Sequence, residues 1–458
     1  MIVLKFGGTS LRNAEWIGRA VEIARRQLDR SPILVASAMG KTTDTLVELS
    51  DRAAAGDDAA VHRMVNELEA AHAAALRDLA SLESSAGAEA APQLQQLFQD
   101  LRSLLQGVTL IREASPRTRD ALLSFGERLS TLLIYTAARQ RGLPARLLDS
   151  RTLLRTDSSF GSAMPDFTAT REALRAAIPP EEPSTGAEGE LVIMQGFIAS
   201  NPEGVTTTLG RGGSDYSATI IGAAVEAEEV QIWTDVDGIM SADPRLVPAA
   251  RTLADISYGE AAELAFFGAR VVHPFTIQPA IDRGIPVYVR NTARPGEPGT
   301  RISGGFAERG VRAITAKRGI TVITINSYRM LNAYGFLSRI FAVFARHQVS
   351  VDLVATSEVS VSMTVDRPER VAEIVRELEE HGQVTVEEEK AIVSLVGKDL
   401  WKDSSVLARV FSTLEGISVR LISLGSSDTN LSLVVPDGEA GRAVEQLHGA
   451  FFDADHLA

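Results

Sequence analysis

Lys5-Phe6-Gly7-Gly8-Thr9-Ser10 follows directly on an apolar run, Met1 to Leu4, and joins a fixed cation to a glycine pair. A strand that ends in Gly-Gly before a helix lets backbone N–H groups approach an anion, and Lys5 adds positive charge at the same spot. The same residues also suit an ordinary glycine turn after an N-terminal strand, because short glycine motifs are not specific. A richer cluster lies at Thr208-Leu209-Gly210-Arg211-Gly212-Gly213-Ser214-Asp215. There a strand leads into three glycines and a helix start, and Arg211 offers a planar fork for carboxylate or phosphate. Ser214 as a plain helix cap is the simpler reading, but capping alone does not require three glycines beside an arginine. A third cluster, Ile232 to Ile239 followed by Asp243-Pro244-Arg245, puts a hydroxyl, carboxylates and an arginine after a strand. Open α/β sheets bind ligands at that end, while a solvated Asp/Gly turn is the alternative. Glu127, taken alone within Ser124 to Ser130, reads as a charge on a helix surface.

Two familiar phosphate signatures fail. Gly40-Lys41-Thr42 resembles the end of a Walker A loop, but Val35 stands where that motif requires glycine. The protein-kinase HRD and DFG tripeptides do not occur.

These residues need elements to hold them. Ile2 to Phe6, Trp16 to Leu28 and Pro32 to Ala36 read as strand, helix, strand, the start of an α/β layer with a largely parallel sheet. Residues 52 to 112 read as a helical excursion. The α/β pattern resumes with a helix at Asp120 to Arg139, strands at Ala145 to Asp149, Leu191 to Phe197 and Thr206 to Gly210, a helix at Ser214 to Ala224 and a strand at Val230 to Thr234. Pro179 to Glu190 and Arg294 to Gly305 read as loops, the second closing the large domain. Beyond about residue 310 the sequence repeats. Thr321 to Ile325 and Phe336 to Phe341 recur as Ala391 to Leu395 and Val406 to Phe411, seventy residues on, and Val349 to Val351 recurs as Ile417 to Val419. Each copy reads strand, helix, strand, strand, helix, with at most a final short strand. Solenoids need three or more copies, so two copies point to a paired domain that holds a small ligand.

Composition narrows the classes. At 458 residues the chain has room for two to four domains, and 45% hydrophobic with 23% charged residues is a globular mix. A net charge of −13 argues against a general nucleic-acid binder. No apolar run of about 18 residues predicts a membrane span, and no signal peptide precedes the first strand, so cytoplasm is the expectation. With no cysteine there is no disulfide, thiolate metal site or cysteine nucleophile, and the seven histidines show no metal-ligand spacing, so no resident metal site is expected.

Taken together, KFGGTS (5–10), SAMGKTTD (37–44), SFGERLS (124–130), QGF (195–197), TTTLGRGGSDYSA (206–218), WTDVDGI (233–239), DPR (243–245) and FGARVVHP (267–274) resemble the aspartate kinases of the amino acid kinase superfamily. The tail from Gly335 to Ser362 resembles the lysine-sensitive monofunctional group with paired ACT domains. The resemblance implies a carbamate-kinase-like α/β/α sandwich with a mainly parallel sheet over residues 1–305, then α+β ACT domains at 312–389 and 390–458. It implies phosphorylation of the L-aspartate β-carboxylate by ATP with Mg²⁺, with Lys5, Arg211 and Asp215 as the catalytic set. Thr43, Glu127, Arg211 and Asp215 would hold aspartate. Lys5, Gly7, Gly8, Thr9, Ser10, Thr234, Asp235, Met240, Arg245 and Arg270 would contact ATP, although the family often carries lysine where this chain has Arg270. L-lysine would bind near Met330, Asn332, Gly335, Phe336, Leu337, Asp352, Ser357, Glu358 and Val359, with Asp352 or Glu358 meeting a cation. Ala333 and Tyr334 stand where more polar or basic residues are expected. The resemblance further implies a homodimer or homotetramer through the ACT domains, without nucleic-acid or membrane partners. Threonine or another amino acid as effector, a different amino acid kinase such as a glutamate 5-kinase or uridylate kinase, and a catalytically dead amino-acid sensor are the alternatives.

Overall fold

The computed structural model describes residues 1–179, 189–268, 272–305, 309–331, 334–366, 368–425 and 427–453. The chain divides into two compact units, Met1–Ile239 with Val271–Gly304, and Met240–Arg270 with Gly305–Ala458.

In the first unit strands lie side by side in the order Ala145–Leu148, Leu191–Gln195, Pro32–Ala36, Ile2–Phe6, Val230–Thr234, Val287–Asn291 and Thr300–Ser303. All neighbours run parallel except the last pair, which is antiparallel. Ile2–Phe6, Pro32–Ala36 and Leu191–Gln195 are buried at every residue, the pattern of parallel strands covered by helices on both faces. The helix expected from Trp16 spans Ala14–Arg25, because the Asn13 side chain accepts the Trp16 N–H at 3.1 Å and caps it two residues earlier. The helical excursion comprises Thr42–Ala54, Asp58–Leu79 and Ser85–Ile111. The helix expected over Asp120 to Arg139 is broken into Pro116–Leu123 and Phe125–Gln140. Ser124 donates its hydroxyl back to the Ala121 carbonyl at 2.7 Å, a local bond that competes with helix continuation. Glu127 therefore sits in the first turn of a new helix. Most of the loop expected at Pro179 to Glu190 lies outside the described residues.

The second unit is built on a six-stranded antiparallel sheet, in the order Val354–Thr356, Ser360–Val365, Gly310–Asn326, Gln383–Lys398, Asn430–Pro436 and Leu421–Leu424. Helices Phe336–Arg346 and Val371–Leu378 belong to the first repeat, Ser404–Thr413 and Ala440–Phe452 to the second. The two long central strands serve both repeats. Ile320 to Asn326 pairs with Lys390 to Gln383, Gly310 to Lys317 pairs with Lys398 to Ile392, and the register shifts between Lys317 and Val322, where Gly319 has φ +70°. The residue-390 boundary expected between repeats thus falls inside one strand. The expected continuous domain over 1–305 is also interrupted. Ala242 and Val247 pack into a core with Ile314, Leu395 and Val410, and the Ser241 carbonyl accepts the Ile314 N–H at 2.8 Å, which fastens the segment after Ile239 to the second unit.

Candidate active site

Parallel pairing aligns the C-terminal ends of Ile2–Phe6, Pro32–Ala36 and Val230–Thr234, so Gly7 to Ser10, Ser37 to Gly40 and Thr234 to Asp237 share one edge of the first unit. The turn after Phe6 is closely packed. The Gly7 N–H donates to the Trp233 carbonyl at 3.2 Å, and a side chain at Gly8 would come within 2.7 Å of the Gly40 carbonyl. Only glycine fits there. Ser10 is fully buried; its hydroxyl donates to the Trp233 carbonyl and accepts from Thr292, so it orders the turn, while Thr9 is exposed.

Lys5, Gly8, Thr43, Glu127, Arg211 and Asp215 line one cavity of about 750 Å³. Another cavity, about 590 Å³ against Ala14–Arg25, contains none of the expected site residues. Lys5 Nζ lies 2.6 Å from Asp215 Oδ1. That oxygen nevertheless has no partner of hydrogen-bond geometry, so the contact is one of charge rather than of an aligned hydrogen bond. Asp215 occupies the first turn of Gly213–Val225, a helix entered through Gly212 at φ +72°, a backbone state glycine adopts without strain. Arg211 is exposed on the cavity wall, with no hydrogen bond or ion pair to another described residue.

Glu127 is not the surface charge its local sequence suggests. It is 2% exposed, its Oε1 accepts the Ala38 N–H at 3.1 Å, and its Oε2 has no partner. Burial pushes its carboxyl up to about 8, against the opposing pull of the Ala38 N–H. A buried carboxyl with an unpartnered oxygen on a residue that lines a cavity is suited to a cationic ligand group. Thr208 and Phe197, from the motifs at 206–218 and 195–197, also line the cavity, together with Gly161 and Asp120, which were not singled out from sequence. Phe197 holds φ +66°, a strained state for a bulky residue and of the kind that clusters at functional sites.

Thr234 and Asp235 lie on the same edge as Gly7 but outside the cavity lining, and Thr234 Oγ1 donates to Asp235 Oδ1 at 3.1 Å. Met240 and Arg245 belong to the second unit, where Arg245 is largely exposed and forks onto Asp243. Arg270 lies outside the described residues.

In the second unit, Gly335 at φ +75° opens the helix Phe336–Arg346. Phe336 is core and Leu337 is partly exposed. Met330 is half-buried, and Asn332 and Ala333 lie outside the described residues. Ser357 to Ser360 form a hairpin turn closed by the two serine hydroxyls, 2.7 Å apart, with Glu358 exposed and the Val359 carbonyl accepting from Ser327 N. Asp352 already has a cation: Lys317 Nζ lies 3.0 Å from each of its oxygens and 2.9 Å from Asp366. Burial raises the Asp352 carboxyl even though Lys317 pulls it down.

Comparison with known proteins gives a consistent result. Residues 1–291 match the amino acid kinase family and residues 393–451 match the ACT domain. The chain is 37% identical to lysine-sensitive aspartokinase 3 of Escherichia coli, covering 99% of both proteins, and 36% identical to chloroplastic aspartokinase 2 of Arabidopsis thaliana, covering 99% of this chain and 84% of that one. Its structure superposes on E. coli aspartokinase III in complex with aspartate and ADP with a TM-score of 0.83, at 36% identity over 99% of this chain and 100% of the other. The complex of that enzyme with lysine and aspartate gives 0.82 over the same shares.

Proposed function

The chain belongs to the amino acid kinase family and, within it, to the aspartokinases, and from that premise we propose that it transfers the γ-phosphoryl group of ATP to the β-carboxylate of L-aspartate, with L-lysine as feedback inhibitor. The observation that carries the reading is one cavity lined by Lys5, Glu127, Arg211 and Asp215. Arg211 takes a substrate carboxylate in its planar fork, while Glu127 and Asp215 receive the substrate ammonium, with Thr43 beside them. Gly8 and Thr9 offer backbone N–H groups and Lys5 a charge to the phosphates, Gly7 shapes the turn with its own N–H held by the Trp233 carbonyl, and Thr234 and Asp235 are the nucleotide contacts of the first unit.

The β-carboxylate needs no general base, because its reference pKa of about 3.9 leaves it ionised at neutral pH. Its oxygen attacks the γ-phosphorus, the bond to the β,γ-bridging oxygen breaks, and ADP leaves with that electron pair. The work of the chain is therefore in-line positioning and neutralisation of charge on the phosphoryl oxygens, with Lys5 central. Mg²⁺ is proposed to arrive with the triphosphate, as such ions are bound largely through substrate phosphates. When bound, that ion would offset phosphoryl charge.

The kinase part is proposed over residues 1–305, with Met240–Arg270 packed into the second unit, and the ACT pair over 312–389 and 390–458, which share the strand Gln383–Lys398. Lysine is assigned as effector from the likeness to a lysine-sensitive enzyme. Its ammonium would compete with Lys317 for Asp352. We assign a homodimer or homotetramer through this half, in line with the exposed Tyr328, Leu331 and Tyr334 beside Phe336–Arg346. No described helix is long and apolar enough to cross a membrane, and cytoplasm is the compartment proposed. Aspartate-dependent ADP release, assayed with lysine, threonine or both, tests the reading. Release that needs aspartate and falls with lysine supports it; indifference to lysine removes the effector assignment, and release without aspartate removes the activity.

A further inference from the structure

Asp120 is 1% exposed on Pro116–Leu123, and among the described residues none forms an ion pair with it. Its Oδ2 accepts the Gly161 and Thr208 N–H groups, each at 2.9 Å, and its Oδ1 accepts the Thr208 hydroxyl at 2.8 Å. The two loops held this way are also bonded to each other, the Ala163 N–H donating to the Thr208 carbonyl at 2.9 Å. Beyond Thr208 the chain turns at Gly210, φ +75°, where a side chain would meet the Gly161 carbonyl at 3.2 Å. The next residue is Arg211. A buried carboxylate without an ion-pair partner is costly, and burial raises this one, so its three hydrogen bonds are what offset that cost. What it does here is to satisfy two backbone donors, the N–H groups of Gly161 and of Thr208 at the end of its strand.

We propose that Asp120 is a positioning residue for the substrate carboxylate: it ties Gly161 to Thr208 and so holds the Gly210 turn that sets Arg211 on the cavity wall. The inference rests on the reading of Arg211 as the carboxylate contact. Asp120 is assigned a positioning role rather than a substrate contact, because both its oxygens already accept protein donors. Geometry rather than charge is the requirement. An asparagine here can turn its amide oxygen to the two N–H groups and donate its NH₂ to the Thr208 hydroxyl, which can accept. An alanine leaves both N–H groups without an acceptor.

Steady-state kinetics of the full chain test this with Asp120→Ala, Asp120→Asn, Arg211→Ala and the Asp120→Ala/Arg211→Ala double variant. Orphaned buried donors predict that Asp120→Ala raises KM for aspartate about tenfold or more while KM for ATP moves less than about twofold. Asp120→Asn is expected to recover KM to within about threefold of wild type, and Asp120→Ala to add less than about twofold on top of Arg211→Ala. A loss of folded protein would lower apparent kcat without this split in KM. Wild-type KM in Asp120→Ala, an Asp120→Asn as impaired as Asp120→Ala, or additivity in the double variant would each overturn the proposal. Should Asp120→Ala fail to fold by circular dichroism, Thr208→Val, which removes only the hydroxyl bond, is expected to raise KM for aspartate about threefold, and no change there overturns it equally. An unaltered aspartate KM in Arg211→Ala would instead sink the underlying reading of Arg211.

Discussion

Lys5 and Lys317 each bring an ammonium from a strand to an aspartate, one in each unit, and their surroundings differ. Lys5 faces Asp215 at 2.6 Å without hydrogen-bond alignment, on the wall of a cavity of about 750 Å³. Lys317 donates to both oxygens of Asp352, whose side chain is only 2% exposed, reaches Asp366 as well, and lies 4.7 Å from the centre of the Phe266 ring. The first ammonium is held by charge alone and can turn toward incoming phosphate oxygens. The second is saturated by two carboxylates and an aromatic face. On the proposed reading, the difference separates a pair arranged to exchange its partner during turnover from one that a ligand must open.

The largest expected break in this contrast is Lys5→Ala. Removing a charge aimed at the developing phosphoryl charge predicts a fall in kcat of about 10²–10³, with KM for aspartate nearly unchanged, measured by initial rates of ADP formation. Next is the titration of Glu127, whose carboxyl is raised from 4.5 to about 8 by burial. Below that value the empty site holds a neutral acid, and above it a carboxylate able to meet an ammonium. The expected profile of kcat/KM for aspartate rises with pH up to about 8, a limb that Glu127→Gln lacks while running about tenfold lower at high pH. The stability sign is the opposite. A raised acid contributes stability that is complete below 4.5 and lost as pH rises through about 8, so wild-type Tm should fall relative to Glu127→Gln over that window. The smallest effect is expected from Lys317→Met, which frees Asp352: the half-inhibitory lysine concentration should drop about three- to tenfold, whereas weaker inhibition would mean that Lys317 does not compete with the effector.

Lys5, Arg211 and Asp215 were legible in the sequence because each belongs to a local glycine-bearing turn at a strand or helix end. Glu127 was marked only by the resemblance of its SFGERLS motif, and its burial was not legible, since what buries it is the break at Ser124 and a partner, Ala38, 89 residues away. Asp120 gave no signal either, with partners 41 and 88 residues off and an unremarkable helical neighbourhood. The order of elements in the duplicated tail was readable from its periodicity. The strands that run through both repeats were not, because register shifts near Gly319 depend on pairing rather than on residue type. The attachment of Met240–Arg270 to the second unit follows from Ala242 and Val247 entering a distant core, which their short apolar stretch does not reveal. Nor did the effector-like segment disclose that Asp352 pairs with Lys317, 35 residues before it.

The central claim is that the cavity around Lys5 makes an acyl phosphate on aspartate. Hydroxylamine converts an acyl phosphate to a stable hydroxamate, so aspartyl hydroxamate and ADP can be counted together in the same reaction. The account predicts equal amounts of both, dependent on ATP and aspartate together and lost in step in Lys5→Ala. ADP without hydroxamate, or hydroxamate formed at an unchanged rate in Lys5→Ala, would contradict it.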